Sequence, residues 1–161
     1  MCIRDSPTYY TAAARIGIDP KLILDNLRHQ LEHHSYPNLF VFYGGGGIEC
    51  CSAVPTCINE MLLQSHEGVL RFFPCWPKGR DARFGNLRAY GAFLVSAELE
   101  GGQVGGVCIT SEKGRDCTVL NPWPGRSIRL SRDGKAAETL RGDRVTFKTR
   151  PGETATLAPA D

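Results

Sequence analysis

The chain has 161 residues, enough for one ordinary domain or two small ones, and its apolar (42%) and charged (22%) fractions are those of a globular protein. The net charge of +2 and the lack of any block of like charge give no indication of a nucleic acid or a membrane as partner, and no apolar run reaches transmembrane length. The seven cysteines form no C-x-x-C pair, so their spacing predicts buried, reduced thiols and leaves the cellular compartment open.

The first six residues look like the translation of a sequencing adapter that recurs at the front of metagenomic reading frames. They are set aside from the fold prediction, as a tag would be. We expect the natural start of the protein to lie further upstream, so the lack of a signal peptide in these residues does not bear on secretion.

The following part of the chain predicts two helices. A short amphipathic helix over 7–17 ends at Gly17. The next begins after Asp19, which is a suitable cap, with Pro20 at the first helical position. Its leucines and isoleucine recur at helical spacing until the pattern stops ahead of Pro37.

A third helix is predicted over 53–65. Ser52 is expected to be its N-cap, and Pro55 then falls in the first turn, where the missing N–H of proline does little harm. Apolar side chains and Ser65 share one face of this helix, and Gly68 is expected to end it.

Beyond this helix the pattern predicts strands. The segment 69–73 is strand-like, 74–86 reads as an irregular linker, and 92–99 turns at Gly101-Gly102 into a strand over 104–110. Further strands separated by turn signals are predicted at about 116–120, 126–131, 136–140, 144–148 and 154–157. Short strands at this spacing are typical of an antiparallel β-sandwich.

Glu49 is the first candidate for a chemical role, because it follows four consecutive glycines at 44–47 and precedes a helix. A glycine run adds no side chain to a core and costs backbone entropy, so it fits a sharp turn or the close approach of another group. A carboxylate carried by such a loop is placed where catalytic acids and bases are often found. The competing interpretation is a surface turn followed by a capping acid. The glycines do not form a phosphate loop, since no Lys-Ser/Thr pair follows them.

A second candidate is a metal site. His29, Glu32 and His33 match the H-x-x-E-H pattern of inverted zinc peptidases, in which two histidines one helical turn apart share a metal. No third ligand is identifiable, and the competing interpretation is the solvated polar face of a helix whose leucines point elsewhere.

Three stretches of the chain carry a family resemblance: Tyr-Pro-Asn-Leu-Phe at 36–40, Ile-Glu at 48–49, and Asn-Glu-Met-Leu-Leu-Gln-Ser-His-Glu-Gly-Val at 59–69. With these residues the chain resembles the closing part of the catalytic barrel in glycoside hydrolase family 95, the inverting α-L-fucosidase family. The stretch 86–93 resembles the start of that family's C-terminal β domain. The most specific part of the resemblance is the run from Glu60 to Gly68.

The resemblance implies an α+β fold: the last helices of an α/α six-hairpin barrel over 7–78, then a C-terminal antiparallel β-sandwich over 79–161. It also implies an oligo- or polysaccharide substrate and no cofactor. The catalytic acid of the family lies upstream of the matching region. We therefore expect this chain to be an inactive C-terminal fragment whose missing partner is the N-terminal part of its own catalytic domain.

The resemblance also assigns site residues. Glu49 falls where the family has an aspartate that helps to activate the attacking water, which implies a role on the base side of an inverting mechanism. Tyr43, at the position of a loop histidine of the family, and Asn38 are implied substrate contacts. Because Cys51 replaces an asparagine of the family and Glu49 is longer than aspartate, a glycan other than fucose is expected.

The alternative function is a non-catalytic carbohydrate-binding or structural β module. Trp76, Phe84, Tyr90 and Trp123 lie in the predicted linker or in turns. Aromatic side chains in loops can stack on sugar rings, although they more often seal the junction between two layers. In this alternative, sugar binding is expected at Trp76, Trp123 and the β part.

Overall fold

The structure is a computed structural model that describes residues 8–38 and 49–160, except for the side chains of Glu49, Cys50, Ala136 and Ala137. The described chain divides into two compact units. The helical unit extends to Leu62 and includes Pro74–Pro77, and the β unit consists of Leu63–Phe73 and the chain from Lys78 onward.

Three helices form the helical unit: α1 (Tyr9–Arg15), α2 (Pro20–His33) and α3 (Glu49–Leu62). The predicted cap of α2 is confirmed, because the Asp19 carboxylate accepts a hydrogen bond from the backbone N–H of Lys21 at 2.9 Å. No described helix is long and apolar enough to cross a membrane. That these helices close an α/α six-hairpin barrel stays a prediction.

The predicted bounds of the third helix were wrong at both ends. α3 begins at Glu49, so Ser52 lies inside the helix instead of capping it, and Pro55 lies past the first turn. The helix ends at Leu62, and Ser65 precedes a short 3₁₀ turn (His66–Gly68). An internal proline removes one backbone hydrogen bond from a helix. The cost is offset here because α3 buries a stripe of side chains one turn apart: Ala53, Cys57 and Met61.

A small apolar core holds the helical unit together. Its buried members are Tyr10, Ala13, Ala14, Ile23, Leu27, Cys57, Met61 and Cys75. At its rim, Arg15 and Glu60 form a bidentate ion pair with N–O distances of 2.9 and 2.7 Å, which links α1 to α3. Burial, with smaller contributions from Cys75 and Glu60, raises the pKa of the Cys57 thiol to about 12. Cys57 therefore remains a neutral, apolar core residue at physiological pH.

The β unit contains ten strands among the described residues. They are β1 (Leu63–Gln64), β2 (Val69–Phe72), β3 (Ala82–Ala89), β4 (Phe93–Glu100), β5 (Gln103–Ser111), β6 (Cys117–Leu120), β7 (Ile128–Arg132), β8 (Lys135–Leu140), β9 (Arg144–Phe147) and β10 (Thr154–Pro159). They form a four-stranded sheet in the order β1-β2-β6-β9 and a six-stranded sheet in the order β3-β4-β5-β10-β7-β8.

Alternating side chains are buried in both sheets, as in a β-sandwich. In the six-stranded sheet the buried positions of β4 are Phe93, Val95, Ala97 and Leu99. In the four-stranded sheet β6 and β9 bury Cys117, Val119, Val145 and Phe147. The fold is thus α+β with a sheet module that is consistent with the predicted β-sandwich.

Two features of the sheets differ from the prediction. The module is not wholly antiparallel, because β2 and β6 pair in parallel. A long stretch of chain separates these two strands, so no tight hairpin forces them to run in opposite directions. The predicted linker at 74–86 also contains the first half of β3. Its alternation is hidden by an irregularity between Phe84 and Leu87, where Asn86 has a φ of 54° and its backbone N–H bonds to the Ser96 hydroxyl.

The two compact units exchange short segments near residue 63 and residue 74, and the boundary after residue 78 between a barrel and a β-sandwich domain stays a prediction. Leu63–Phe73 belongs to the β unit, because β1 pairs with β2 and β2 continues the sheet through β6. Pro74–Pro77 returns to the helical unit, where the backbone N–H of Cys75 bonds to the carbonyl of Met61.

Candidate functional site

Glu49 is the first residue of α3, so its backbone stands at the start of a helix, whereas its side chain lies outside the described structure. The N-terminal end of a helix favours negative charge, because its first N–H groups have no partner inside the helix. Buried Cys57 and Met61, together with the ion pair of Glu60, hold α3 against α1. The helix that carries Glu49 is therefore anchored through its second half.

The position of the Glu49 carboxylate relative to the other two predicted site residues stays a prediction, because this side chain is outside the described structure. Tyr43 lies within 39–48, outside the described residues. Asn38 is described, and it occupies an exposed turn after α2. The substrate contacts assigned to Tyr43 and Asn38 stay predictions.

The three histidines at the end of α2 gather on its exposed side. The ring centroid of His29 lies 4.7 Å from that of His33 and 5.3 Å from that of His34. Within the described ranges, no group of three or more histidine, cysteine, aspartate or glutamate side chains is placed to hold a metal ion. His29, Glu32 and His33 are all exposed, as in a solvated helix face.

Most of the aromatic side chains that were predicted to lie in the linker or in turns pack inside the fold. Trp123 is 5% exposed and its indole N–H donates to the Val104 carbonyl at 2.9 Å. Phe84 is buried with its ring centroid 5.3 Å from that of Phe73, and Trp76 is partly buried against the helical core. Tyr90, by contrast, is 71% exposed. The burial of Trp123 and the hydrogen bond of its one polar side-chain atom favour the interpretation that this ring seals the fold, over the sugar contact of the carbohydrate-binding alternative.

We expect Trp123→Phe to lower the free energy of unfolding by about 1–2 kcal/mol, since it leaves the partly buried Val104 carbonyl without the indole N–H that it accepts. Urea denaturation measures the change. As a control, Tyr90→Ala removes an exposed aromatic ring and should change stability by no more than about 0.5 kcal/mol. A loss of glycan binding by folded Trp123→Phe, without loss of stability, would restore the sugar-contact interpretation.

The β unit contains a concave site that the sequence did not predict. A cavity of about 500 Å³ is lined by Arg132, Asp133, Lys135, Lys148, Thr149, Arg150 and Glu153. Its basic residues come from two separate parts of the chain, so no charge block marks them in the sequence. The Asp133-Gly134 and Pro151-Gly152 turn signals were recognisable, but a turn signal does not say which turns meet.

Residues 64–157 match the family described as glycoside hydrolase family 95, C-terminal domain. The match begins in β1 and ends in β10, so it follows the β unit closely and covers more than half of the chain. Glu49 and the three helices precede the matched residues. No curated protein matches this chain.

Proposed function

This chain belongs to glycoside hydrolase family 95 through that family's C-terminal domain, and on this premise we propose that its parent protein hydrolyses glycosidic bonds of an oligo- or polysaccharide with inversion at the anomeric carbon. The family match at 64–157 is the observation that carries the proposal. The substrate is an α-L-fucoside or a related glycan. The departures at Glu49 and Cys51 from the family pattern favour a related glycan.

In the proposed mechanism Glu49 acts on the base side. An inverting glycosidase needs one carboxylic acid to protonate the leaving oxygen and one carboxylate to take a proton from the water that attacks the opposite face of the sugar. Two observations support Glu49 in the second role: it opens α3, and α3 is anchored by its buried stripe and by the ion pair of Glu60. The acid is supplied by a part of the catalytic domain upstream of this chain.

An anchored helix suits this role, because a general base must reach the attacking water within hydrogen-bond distance. Inverting enzymes also keep their two carboxyl groups about 6.5–9.5 Å apart to leave room for that water. A base on a loose loop would lose this spacing. The apolar contacts of Cys57 and Met61 thus serve the chemistry by fixing the helix that carries Glu49.

The stereochemistry of the product tests the reaction class. The full-length protein that contains this chain would be assayed against a panel of α-linked glycosides, and the first-formed anomer followed by proton NMR before mutarotation. We expect the product anomer to be inverted relative to the substrate. A retained anomer would contradict the inverting mechanism.

The second candidate function is the non-catalytic carbohydrate-binding or structural β module. One observation favours it: the family match begins after the three helices, and most of its residues belong to the β unit. A full-length protein that hydrolyses no glycoside in the panel, yet binds a glycan, would support this module over the hydrolase.

A further inference from the structure

The 500 Å³ cavity of the β unit lies between two chain segments that the six-stranded sheet brings together. One segment is the end of β7 with the turn into β8, and the other is the stretch 148–150 between β9 and β10. β7 and β10 are direct neighbours in the sheet, with Ala155 opposite Arg132. The cavity is therefore built on paired strands.

Charge is the main property of this cavity. Four of its seven lining residues are cationic and two are acidic. Lys135, Lys148 and Arg150 are exposed, and within the described part of the chain their side chains form no ion pair. Three positive charges thus face solvent around one concavity, in a chain whose net charge is only +2.

Arg132 ties the walls of the cavity together. Its Nη1 donates to the Lys148 carbonyl at 2.8 Å and to Glu153 Oε1 at 3.2 Å, and its Nη2 donates to Glu138 Oε1 at 2.9 Å. Glu153, with 8% of its side chain exposed, also accepts the backbone N–H of Arg150 at 2.8 Å. The guanidinium of Arg132 is neutralised by these two carboxylates, so its role is to hold the lining segments in place. The exposed cations of the cavity are the ones left to bind a ligand.

The turn at the other wall is equally well defined. Asp133 and Gly134 have φ values of 46° and 77°, as in the two-residue type I′ turn of a β-hairpin. Asp133 Oδ1 accepts the backbone N–H of Thr154 at 3.1 Å, and the Asp133 N–H donates to the Thr154 carbonyl at 3.0 Å. Lys135, directly after this turn, therefore starts from a fixed backbone position.

We propose that this cavity binds a negatively charged sugar unit of a polysaccharide, with Lys135, Lys148 and Arg150 contacting its carboxylate or sulfate groups. The volume suits a small number of sugar units, and the acidic Asp133 among the cations offers an acceptor for sugar hydroxyls. Nucleic-acid sites instead use a continuous basic surface along a phosphate backbone. The choice of a glycan rests on the family membership, whereas the charge arrangement is independent of Glu49 and of catalysis.

Binding by the intact chain tests the proposal. Affinity electrophoresis at low ionic strength would compare polygalacturonate, which carries carboxylates, dextran sulfate, which carries sulfates, and uncharged dextran. The test variant combines Lys135→Glu, Lys148→Glu and Arg150→Glu. The matched control combines three reversals of exposed cations outside the cavity lining: Lys78→Glu, Arg83→Glu and Arg141→Glu.

We expect the wild-type chain to bind at least one of the two charged polymers and not dextran. The cavity variant should lose at least about tenfold in affinity, because it loses the charges that contact the glycan. The control variant should lose no more than about twofold, because it changes the net charge equally but keeps those contacts. The charged polymer that binds more tightly shows whether the cavity prefers carboxylate or sulfate groups. If the cavity variant does not fold by circular dichroism, the glutamine triple at the same positions replaces it.

Three results would overturn the proposal. Equal losses in the cavity variant and the control would mean that only net charge matters. If the wild-type chain bound neither charged polymer, or bound dextran equally well, an anionic glycan would be excluded as the ligand. Tighter binding to a single-stranded oligonucleotide than to either glycan would assign the cavity to nucleic acid. Because hydrolysis is not measured, each of these results leaves the proposed hydrolase function untouched.

Discussion

Glu49→Gln in the full-length protein is expected to lower kcat by about 10²–10⁴-fold, the usual contribution of a general base, with KM changed much less. Glutamine is close to glutamate in size but cannot take a proton from the attacking water. A loss confined to kcat would mean that the carboxylate acts mainly in the transition state. The measurement is kcat and KM on the best glycoside of the panel.

Two matched variants accompany this experiment. Glu32→Gln removes an exposed carboxylate of α2 and should leave kcat near the wild-type value. Glu49→Asp introduces the residue that the family has at this position and should retain much more activity than Glu49→Gln. Equal kcat values for wild type and Glu49→Gln would remove Glu49 from the mechanism.

The second large effect is expected at Gly114. It has a φ of 66°, and a Cβ built there would lie 2.5 Å from Cδ and 2.8 Å from the backbone nitrogen of Pro151. Gly114→Ala should therefore combine the cost of a left-handed conformation with steric overlap, for a total of about 2–4 kcal/mol of unfolding free energy. Denaturant unfolding measures this loss.

Gly125→Ala is the matched control for Gly114→Ala. Gly125 has a similar φ of 77°, but nothing lies within 4 Å of its Cβ position. It should cost only about 1–2 kcal/mol, the conformational part alone. The difference between the two variants isolates the close approach of Pro151, and equal losses would mean that the Pro151 segment moves aside without penalty.

The part of the fold that the sequence predicted is local. Asp19 caps α2, and the paired glycines 101 and 102 join β4 to β5 with φ values of 53° and 76°. Each of these features depends on the conformational preferences of a few neighbouring residues, which are readable without knowing the rest of the fold. The order of helices followed by strands was predicted for the same reason.

The candidate catalytic residue was also chosen from the sequence, through the glycine run and the family resemblance. The structure adds that Glu49 begins α3 and that the helix is anchored by Cys57 and Met61. The substrate contacts of Asn38 and Tyr43 stay predictions, because Tyr43 and the Glu49 side chain lie outside the described structure. A constellation of side chains depends on how loops meet, and a linear pattern does not contain that information.

By itself, then, the sequence determined the helices, most of the strands and the one carboxylate worth testing. Only the tertiary structure decided that β2 and β6 run in parallel, that Trp123 is buried, and that Lys135 and Lys148 line one cavity. The physical reason is that turns and caps are set by short-range backbone energetics, whereas strand partners and burial are set by packing between residues far apart in the chain.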